Sequence, residues 1–344
     1  MEQKISPHYV KTSLAASLTL GFQRGAFHRN AKLKGLNLLL HYEEGCHGRC
    51  HYCGLSQSRQ ETTRGKTFIR VDWPVYLLEE IIHRTKKNNE IHRVCISMVT
   101  HFRAIEDTLY VIRRFKEETN LLISVLLAPT LINRNESLEM IKKAGADRAG
   151  IAIDAATPEL FNKLRGKGVG GPHRWDHYWK AVEMAIATFG KFNVGIHLIA
   201  GLGETENQMV ETIQKGQNSG AYTHLFSFFP EKGSPMENYP LPSIGSYRRI
   251  QLARWIINEG LGSIDQMKFD KNGRLTDFGM DIQFLIESGL PFMTSGCPGR
   301  DGLVACNRPY GNERPSEPIR NFPFIPEKED IEEIKRQIEE CDAC

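Results

Sequence analysis

The sequence predicts an α/β protein whose core is a partial or complete (β/α) barrel. Six apolar, β-prone runs alternate with segments of helical periodicity, a pattern that indicates parallel strands joined by helices. Parallel crossovers are almost always right-handed, so such units either curl into a barrel or spread into an open sheet. We favour the partial barrel. The predicted strands are 36–40, 94–98, 121–126, 149–153, 194–199 and 224–229.

The segments between the strands carry apolar residues at helical spacing. We predict covering helices over 73–86 and 107–118, where the apolar side chains recur on one face. Gly145 follows a run with lysines in its last turn and precedes the fourth strand, so we expect it to end a helix there. Each helix would therefore return the chain to the same end of the barrel.

The chain divides into three predicted parts: an N-terminal extension over 1–35, the barrel core over 36–245 and a C-terminal extension over 246–344. Six prolines interrupt residues 294–326, so this stretch is expected to be irregular. A charged helix over 327–340 follows and leads into Cys341 and Cys344. The irregular stretch needs something to hold it in place.

Composition narrows the functional classes. The net charge is +3 over 344 residues, and no dense basic stripe is present, so no nucleic-acid partner is expected. No run approaches 18 apolar residues, and the N-terminus has no apolar signal region, so we expect no membrane association and a cytoplasmic location. In a reducing compartment the clustered cysteines among the eight are more often metal ligands than disulfides.

Cys46, Cys50 and Cys53 form a Cys-x3-Cys-x2-Cys loop directly after the first predicted barrel strand. Three thiolates hold a four-iron cluster with one iron open, whereas protein clusters normally take four ligands. An open iron can bind a substrate or cofactor, which makes such a cluster catalytic. The alternatives are a zinc site, which favours paired cysteine knuckles with four ligands, and a group of buried thiols.

This loop, with the aromatic Tyr52 before its third cysteine, resembles the signature of the radical S-adenosylmethionine (SAM) superfamily. The resemblance implies a radical SAM type of barrel and a 4Fe-4S cluster held by Cys46, Cys50 and Cys53. It also implies that SAM binds the open iron and is cleaved to a 5′-deoxyadenosyl radical.

Further positions resemble the cofactor contacts of biotin synthase-like members of the superfamily. Ser97 and Met98 end the second strand, where relatives place a turn that binds the SAM amino group. Asp154 ends the fourth strand and resembles a ribose-binding aspartate, although it could instead cap the following helix. Arg174 stands where relatives carry an arginine for the SAM carboxylate, the alternative being a surface arginine.

The fifth strand ends in a segment that resembles the adenine-binding motif of the same relatives. Ile199 and Gly201 would offer backbone beside the adenine, and Glu204 would pin the loop. Together with the turn that begins at Gly233, these matches extend the resemblance from residue 36 to about residue 238.

Four more cysteines, Cys297, Cys306, Cys341 and Cys344, are placed by the sequence outside the barrel. Four thiolates would complete a second, auxiliary 4Fe-4S cluster and cross-link the irregular segment. A zinc site and unpaired or redox-active thiols are the alternatives, and Ser295 or Ser316 could replace one cysteine ligand. Cys95, inside the second strand, is interpreted as a buried structural thiol.

Residues 296–313 resemble biotin synthase-like proteins that act as a two-component lipoyl synthase. The resemblance implies a sulfurtransferase: the deoxyadenosyl radical removes hydrogen from an octanoyl chain on a carrier-protein lysine, and the auxiliary cluster donates the sulfur. It further implies three partners, namely the octanoylated lipoyl carrier, a second radical SAM subunit, and an electron donor such as ferredoxin or flavodoxin.

Three other functions stay open from the sequence. One is biotin synthase-like sulfur insertion into a free small molecule, and another is a peptide or cofactor maturase whose second cluster relays electrons. The third is a non-enzymatic iron–sulfur carrier or scaffold. The sequence does not choose the carbon that would be attacked.

Overall fold

The computed structural model describes residues 3–59, 67–68, 71–309 and 318–340. Within these residues eight strands form one sheet, and two small hairpins stand apart from it. The sheet strands are β1 (Tyr9–Thr12), β2 (Gly35–Leu40), β5 (Val75–Leu77), β6 (Arg93–Ser97), β7 (Leu122–Leu127), β8 (Arg148–Asp154), β9 (Val194–Ala200) and β10 (Tyr222–Ser227). The hairpins pair β3 (Thr67–Phe68) with β4 (Val71–Asp72) and β11 (Lys268–Phe269) with β12 (Leu275–Asp277).

Helices cover the sheet and continue beyond it. They are α1 (Leu14–Thr19), α2 (Leu78–Lys86), α3 (Ala104–Glu118), α4 (Asn135–Ala144), α5 (Pro158–Leu164), α6 (Trp175–Phe189), α7 (Glu206–Ser219), α8 (Ile244–Asn258), α9 (Gln283–Ser288) and α10 (Lys328–Glu339). In the part of the chain that is described, no helix has both the length and the apolar character needed to cross a membrane.

The sheet order is β10-β9-β8-β7-β6-β2-β1-β5, and the six strands from β10 to β2 are parallel. These six are the predicted strands, so the predicted α/β partial barrel is confirmed. Parallel strands are covered on both faces, which explains why β2 and β6 are buried at every position.

Two local predictions differ from the structure. The helix predicted over 73–86 begins only at Leu78, because Val75–Leu77 form strand β5, which pairs with β1. The predicted N-terminal extension contributes β1 itself, which runs antiparallel to β2 with Val10 opposite Leu40. The apolar residues of both short strands fit helical and extended patterns alike, so only the pairing distinguishes them. As predicted, Gly145 ends α4, with φ at 126°.

Residues 293–309 of the C-terminal extension lie between the two outer strands of the parallel set. The Leu225 amide of β10 donates to the Ser295 hydroxyl at 3.0 Å. On the other side, Gly35 of β2 packs so closely on the chain that a Cβ there would lie 2.7 Å from the Ala305 carbonyl oxygen. Glycine is therefore required at position 35 by this close approach, and the segment is held against the inner side of the barrel.

A buried ion pair joins the extension to the core. Arg249 of α8 donates to Glu206 of α7, with 2.6 Å between Nη2 and Oε1, and both side chains are about 5% exposed or less. Glu206 also accepts the Leu275 amide of β12 at 2.8 Å. One carboxylate thus links a core helix, an extension helix and a hairpin.

We expect Arg249→Met to lower the free energy of unfolding by about 3–5 kcal/mol, because Glu206 would remain buried without its cation. Urea unfolding followed by circular dichroism measures the change. The matched control is Lys268→Met, which removes the exposed pair with Asp277 and should leave the unfolding midpoint in place. Equal effects of the two substitutions would contradict this role of the buried pair.

Candidate functional site

The three-cysteine loop lies at the carboxyl end of the parallel strands, where barrels carry their active sites. It leaves β2 after Leu40 and is tied to two other loops by backbone hydrogen bonds. The His47 amide donates to the Thr100 carbonyl at 2.8 Å, and the His51 amide donates to the Leu164 carbonyl at 2.9 Å. The ends of β6 and α5 therefore set the position of the loop.

Backbone amides point at two of the three sulfur atoms. Cys46 Sγ accepts from the amides of Gly48 and Thr100, each at 3.4 Å, and Cys53 Sγ accepts from Leu55 at 3.4 Å. A Cβ at position 48 would lie 3.3 Å from Cys46 Sγ and 3.0 Å from His173 Nε2. The small residue at position 48 therefore lets the chain wrap closely around this sulfur.

Without a bound group, burial favours the protonated form of two of these thiols, Cys50 and Cys53. Burial raises the pKa of Cys50 to about 11, against the smaller lowering effect of the Arg165 cation. Burial, together with the neighbouring Cys50 and Cys46, raises the pKa of Cys53 well above its usual value. Three thiols that repel one another as thiolates need a cationic group between them before all can ionise.

A buried hydrogen-bonded network stands next to the loop. Asp154 Oδ2 accepts from the Tyr52 hydroxyl at 2.6 Å and from Arg165 Nη1 at 2.7 Å. Asp154 has φ at 65°, a left-handed conformation that is uncommon for a residue with a side chain and that recurs at functional sites. Helix α5 is capped by Thr157, so the alternative interpretation of Asp154 as that cap is wrong.

Arg165 also holds the backbone of the same strand end. Its Nη1 donates to the carbonyls of Ala152 and Ile153, and its Nη2 donates to the Tyr178 hydroxyl at 3.2 Å. His173 lies within 2.9 Å of the same hydroxyl through Nδ1. Burial and the nearby arginine cations lower the pKa of His173 to about 2, so its ring is neutral at physiological pH.

These groups face one cavity of about 250 Å³. Its walls are largely apolar, with Leu39, Leu127 and Phe228 among the lining side chains. Eight of the residues predicted for the site line it: Cys46, Cys50, Tyr52, Cys53, Ser97, Met98, Asp154 and Ile199.

Three predicted contacts lie elsewhere. Arg174 is exposed and donates to the carbonyls of Gly171 and His173, so the structure places it outside the cavity; the buried cation there is Arg165. Gly201 and Glu204 are not among the lining residues either. Glu204 does pin its loop as expected, because its carboxylate accepts the amides of Gly201 at 2.6 Å and Leu202 at 3.0 Å.

The C-terminal cysteines do not all stand outside the barrel. Cys306 is buried beside Cys95 of β6, and Cys297 lines the same small cavity. The Cys95 thiol donates to Cys306, and together with the Arg308 cation this lowers the pKa of Cys306 well below its usual value. Cys341, Cys344 and Ser316 lie outside the described residues, and Ser295 is engaged by the Leu225 amide.

The residues around the first three cysteines fit a four-iron cluster. Among the described residues, no group of three or more histidine, cysteine, aspartate or glutamate side chains is arranged so that it could hold one metal ion. The ligands of an iron–sulfur cluster need not converge on one point, because each thiolate binds a different iron. The three free thiols line one cavity, and backbone amides donate to two of the sulfurs. This arrangement fits a cluster that is bound by three cysteines.

Sequence reasoning missed Arg165, His173 and Tyr178 in the first cavity and Arg308 beside the second. None stands at a strand end, and Arg308 lies inside the 296–313 segment without having been singled out there. Arg165 follows the last turn of α5, a position where a surface arginine is also expected, since cations near a helix C-terminus are favourable. The carboxylate of Asp154, which the sequence did single out, is the best signal for a buried cation nearby.

A family profile described as the Radical SAM superfamily matches residues 42–216, from the end of β2 into α7. No curated protein sequence matches the chain significantly. The matched stretch includes the three-cysteine loop and Asp154, and it ends before the C-terminal extension begins.

Several solved structures match the chain at low sequence identity. HydG, a maturase of the FeFe-hydrogenase, superposes with a TM-score of 0.51 at 13% identity, covering 71% of this chain and 54% of its own. Methylornithine synthase (PylB) gives 0.49 at 17%, covering 70% and 67%. The radical SAM methyltransferase TsrM from Kitasatospora setae gives 0.41 at 16%, covering 61% and 39%. The chain thus spans about half the length of HydG.

We expect the cluster-free protein to lose stability as pH rises from about 9 to about 11, because the unfolded chain releases the Cys50 proton at lower pH than the folded chain. A pKa rise of this size corresponds to about 2–3 kcal/mol. Urea unfolding of cluster-free wild type and Cys50→Ser across this range isolates the contribution of this thiol. Parallel pH profiles of the two proteins would contradict the raised pKa.

Proposed function

The chain belongs to the radical SAM superfamily, and from this premise we propose that it is a sulfur-inserting enzyme, a lipoyl synthase component that acts on a protein-bound octanoyl chain. The family implies a 4Fe-4S cluster and SAM. The observation that carries the proposal is the second group of cysteines, Cys297 and Cys306, on the far side of the first cavity wall.

The two cavities share part of their lining. The side chains that line both are Leu126, His197, Phe226 and Arg308, which form a wall that the two cavities share. A radical formed at the first site has a short lifetime near reactive groups, and a sulfur source must therefore stand beside the substrate. Cys297 and Cys306 lie beside the shared wall and could hold a sulfur-donating cluster there.

The first cavity suits an apolar substrate. Its aliphatic and aromatic walls exclude water from an alkyl chain and keep competing hydrogen donors away from a radical. Bound to Cys46, Cys50 and Cys53, the 4Fe-4S cluster together with SAM supplies the 5′-deoxyadenosyl radical. A second cluster, held by cysteines such as Cys297 and Cys306, would supply the sulfur.

We assign a different role at the first site to each of Asp154, Arg165 and His173. Asp154 uses Oδ2 for Tyr52 and Arg165, so Oδ1 can accept from a hydroxyl such as that of a ribose. Arg165 fixes the strand end and places a cation near Cys50, where it favours the thiolate needed for iron binding. His173 is neutral and braces Tyr178, which keeps the wall behind Arg165 rigid.

The proposal includes the wider setting implied by the resemblance of residues 296–313. The substrate would be an octanoylated lipoyl carrier domain, a second radical SAM subunit would complete the reaction, and a ferredoxin or flavodoxin would supply electrons in the cytoplasm. The auxiliary cluster belongs to this proposal, with Cys297, Cys306, Cys341 and Cys344 as the ligands that the sequence suggests.

The test uses the cluster-loaded full chain, SAM and an octanoyl-lysyl carrier peptide under anaerobic reduction. We expect 5′-deoxyadenosine and a peptide that gains the mass of sulfur. Cys50→Ala should lower both products by more than 100-fold, because removing a cluster ligand removes the radical source. Lys268→Met, which changes only an exposed pair, serves as the control.

Two results would overturn the proposal in different ways. Deoxyadenosine without sulfur in the peptide would favour a maturase with an electron-relay cluster, or an enzyme for a free small molecule. A cluster-loaded protein that releases no deoxyadenosine would favour an iron–sulfur carrier or scaffold.

A further inference from the structure

The loop that follows β6 contacts Cys46 at two points. The Thr100 amide of this loop donates to Cys46 Sγ at 3.4 Å, and the Thr100 carbonyl accepts the His47 amide at 2.8 Å. Thr100 therefore holds both the first sulfur of the three-cysteine loop and the backbone that follows it.

The Thr100 amide differs from the other amides that point at the sulfurs. Gly48 donates to Cys46 Sγ and Leu55 donates to Cys53 Sγ, and each of these donors stands two residues after its cysteine. Their positions follow from the local turn of the loop itself. Thr100 is 54 residues away from Cys46 in sequence, so its position depends on whatever holds the two loops together.

A ring stack joins the two loops. The His101 imidazole lies nearly parallel to the Tyr42 ring, with 3.7 Å between the ring centroids and 14° between the planes. Tyr42 follows β2, and its carbonyl accepts the Gly45 amide at 3.1 Å, one residue before Cys46. The stack thus connects the residue after Thr100 to the turn before Cys46.

Hydrogen bonds to the start of α3 hold both rings. The Tyr42 hydroxyl donates to Asp107 Oδ2 at 2.8 Å, and the Asp107 side chain is buried in the first turns of α3. The Arg103 amide donates to His101 Nδ1 at 3.3 Å. Burial lowers the pKa of His101, so the ring is neutral and Nδ1 can accept. We call Tyr42, His101 and Asp107 the ring clamp.

The ring clamp stands behind the site rather than in it. Its three side chains are at most 3% exposed, and none of them lines the cavity, whereas Thr100 does. A molecule in the cavity therefore meets Thr100 but not the clamp. Any effect of the clamp on the chemistry has to pass through the loop that carries Thr100.

An amide directed at a ligand sulfur affects how readily a cluster is reduced. Reduction adds one electron to the cluster, and part of the added negative charge lies on the cysteine sulfurs. An N–H group that donates to such a sulfur stabilises this charge, which is why hydrogen bonds to the sulfurs help to set reduction potentials.

We propose that the ring clamp positions the Thr100 amide on Cys46 Sγ and thereby raises the reduction potential of the first iron–sulfur cluster. Tyr42, His101 and Asp107 are positioning residues, since they act through Thr100 and Cys46. The electron comes from the external donor, and the clamp itself neither gains nor loses a proton. The inference needs the cluster that the family implies, and it is independent of the sulfur insertion proposed above.

The test is a redox titration of the cluster-loaded full chain, followed by electron paramagnetic resonance without SAM or substrate. The signal of the first cluster is the one that Cys50→Ala removes. His101→Ala removes the stack, and we expect the ratio of reduced to oxidised cluster at a fixed potential to fall about fivefold. This is a shift of about 40 mV to more negative potential, at about 59 mV per tenfold change for one electron.

Conservative variants separate positioning from packing. His101→Phe can keep an aromatic ring on Tyr42, so the ratio should return to within about twofold of wild type. Asp107→Ala gives a second loss variant on α3, and Asp107→Asn, whose amide oxygen can still accept the Tyr42 hydroxyl, should restore the potential. If His101→Ala does not load the cluster, the pair at position 107 provides the measurement.

Tyr110→Ala is the matched control, because Tyr110 lies on the same helix and its ring meets His8 edge-on at 5.4 Å rather than the loops. It should leave the potential unchanged. Iron and sulfide analysis and circular dichroism should show that every compared variant is folded and fully loaded.

Three results would overturn the inference. One is a fully loaded His101→Ala protein with the wild-type potential. Another is a shift in His101→Phe as large as that in His101→Ala, and the third is an equal shift in Tyr110→Ala. The proposed function fails separately: a protein with the expected potentials that adds no sulfur to the octanoyl peptide would contradict sulfur insertion and leave the role of the clamp intact.

Discussion

The parallel pairing of β2, β6, β7, β8, β9 and β10 is the constraint on which the rest of the molecule depends. In a barrel of parallel strands, all the carboxyl ends lie at the same rim. Alternate side chains of every strand point into the barrel interior. The rim receives the three-cysteine loop and Asp154. The interior receives Cys95, Ser124 and His224 from three different strands.

This arrangement makes the C-terminal extension part of the barrel rather than an appendage. Residues 293–309 contact β10 at Ser295 and β2 at Cys306, and so lie between the two outer strands of the parallel set. The buried pair of Arg249 and Glu206 attaches α8, an earlier part of the extension, to a core helix. The segment that carries Cys297 and Cys306 is held by its contacts with β10 and β2.

Charge inside the barrel is organised around two arginines. Arg165 is compensated by Asp154 and by hydrogen bonds to backbone carbonyls, which leaves a rigid, neutralised wall next to Cys50. Arg308 lacks such a carboxylate among the described lining residues and faces sulfur instead. Arg165 is thus balanced by a carboxylate, whereas the charge partner of Arg308 is the Cys306 sulfur, whose pKa is lowered well below its usual value by the Cys95 thiol and the Arg308 cation.

The sequence alone determined the six parallel strands and the three-cysteine loop, because both are set by spacing along a few neighbouring residues. It also picked out Asp154, and it predicted the loop-pinning role of Glu204, whose partners Gly201 and Leu202 are close in sequence. Only the tertiary structure decided that Arg165 rather than Arg174 faces the cavity, and that Cys95 meets Cys306. Contacts between residues more than 200 positions apart depend on the path of an irregular segment across the barrel, which no local pattern encodes.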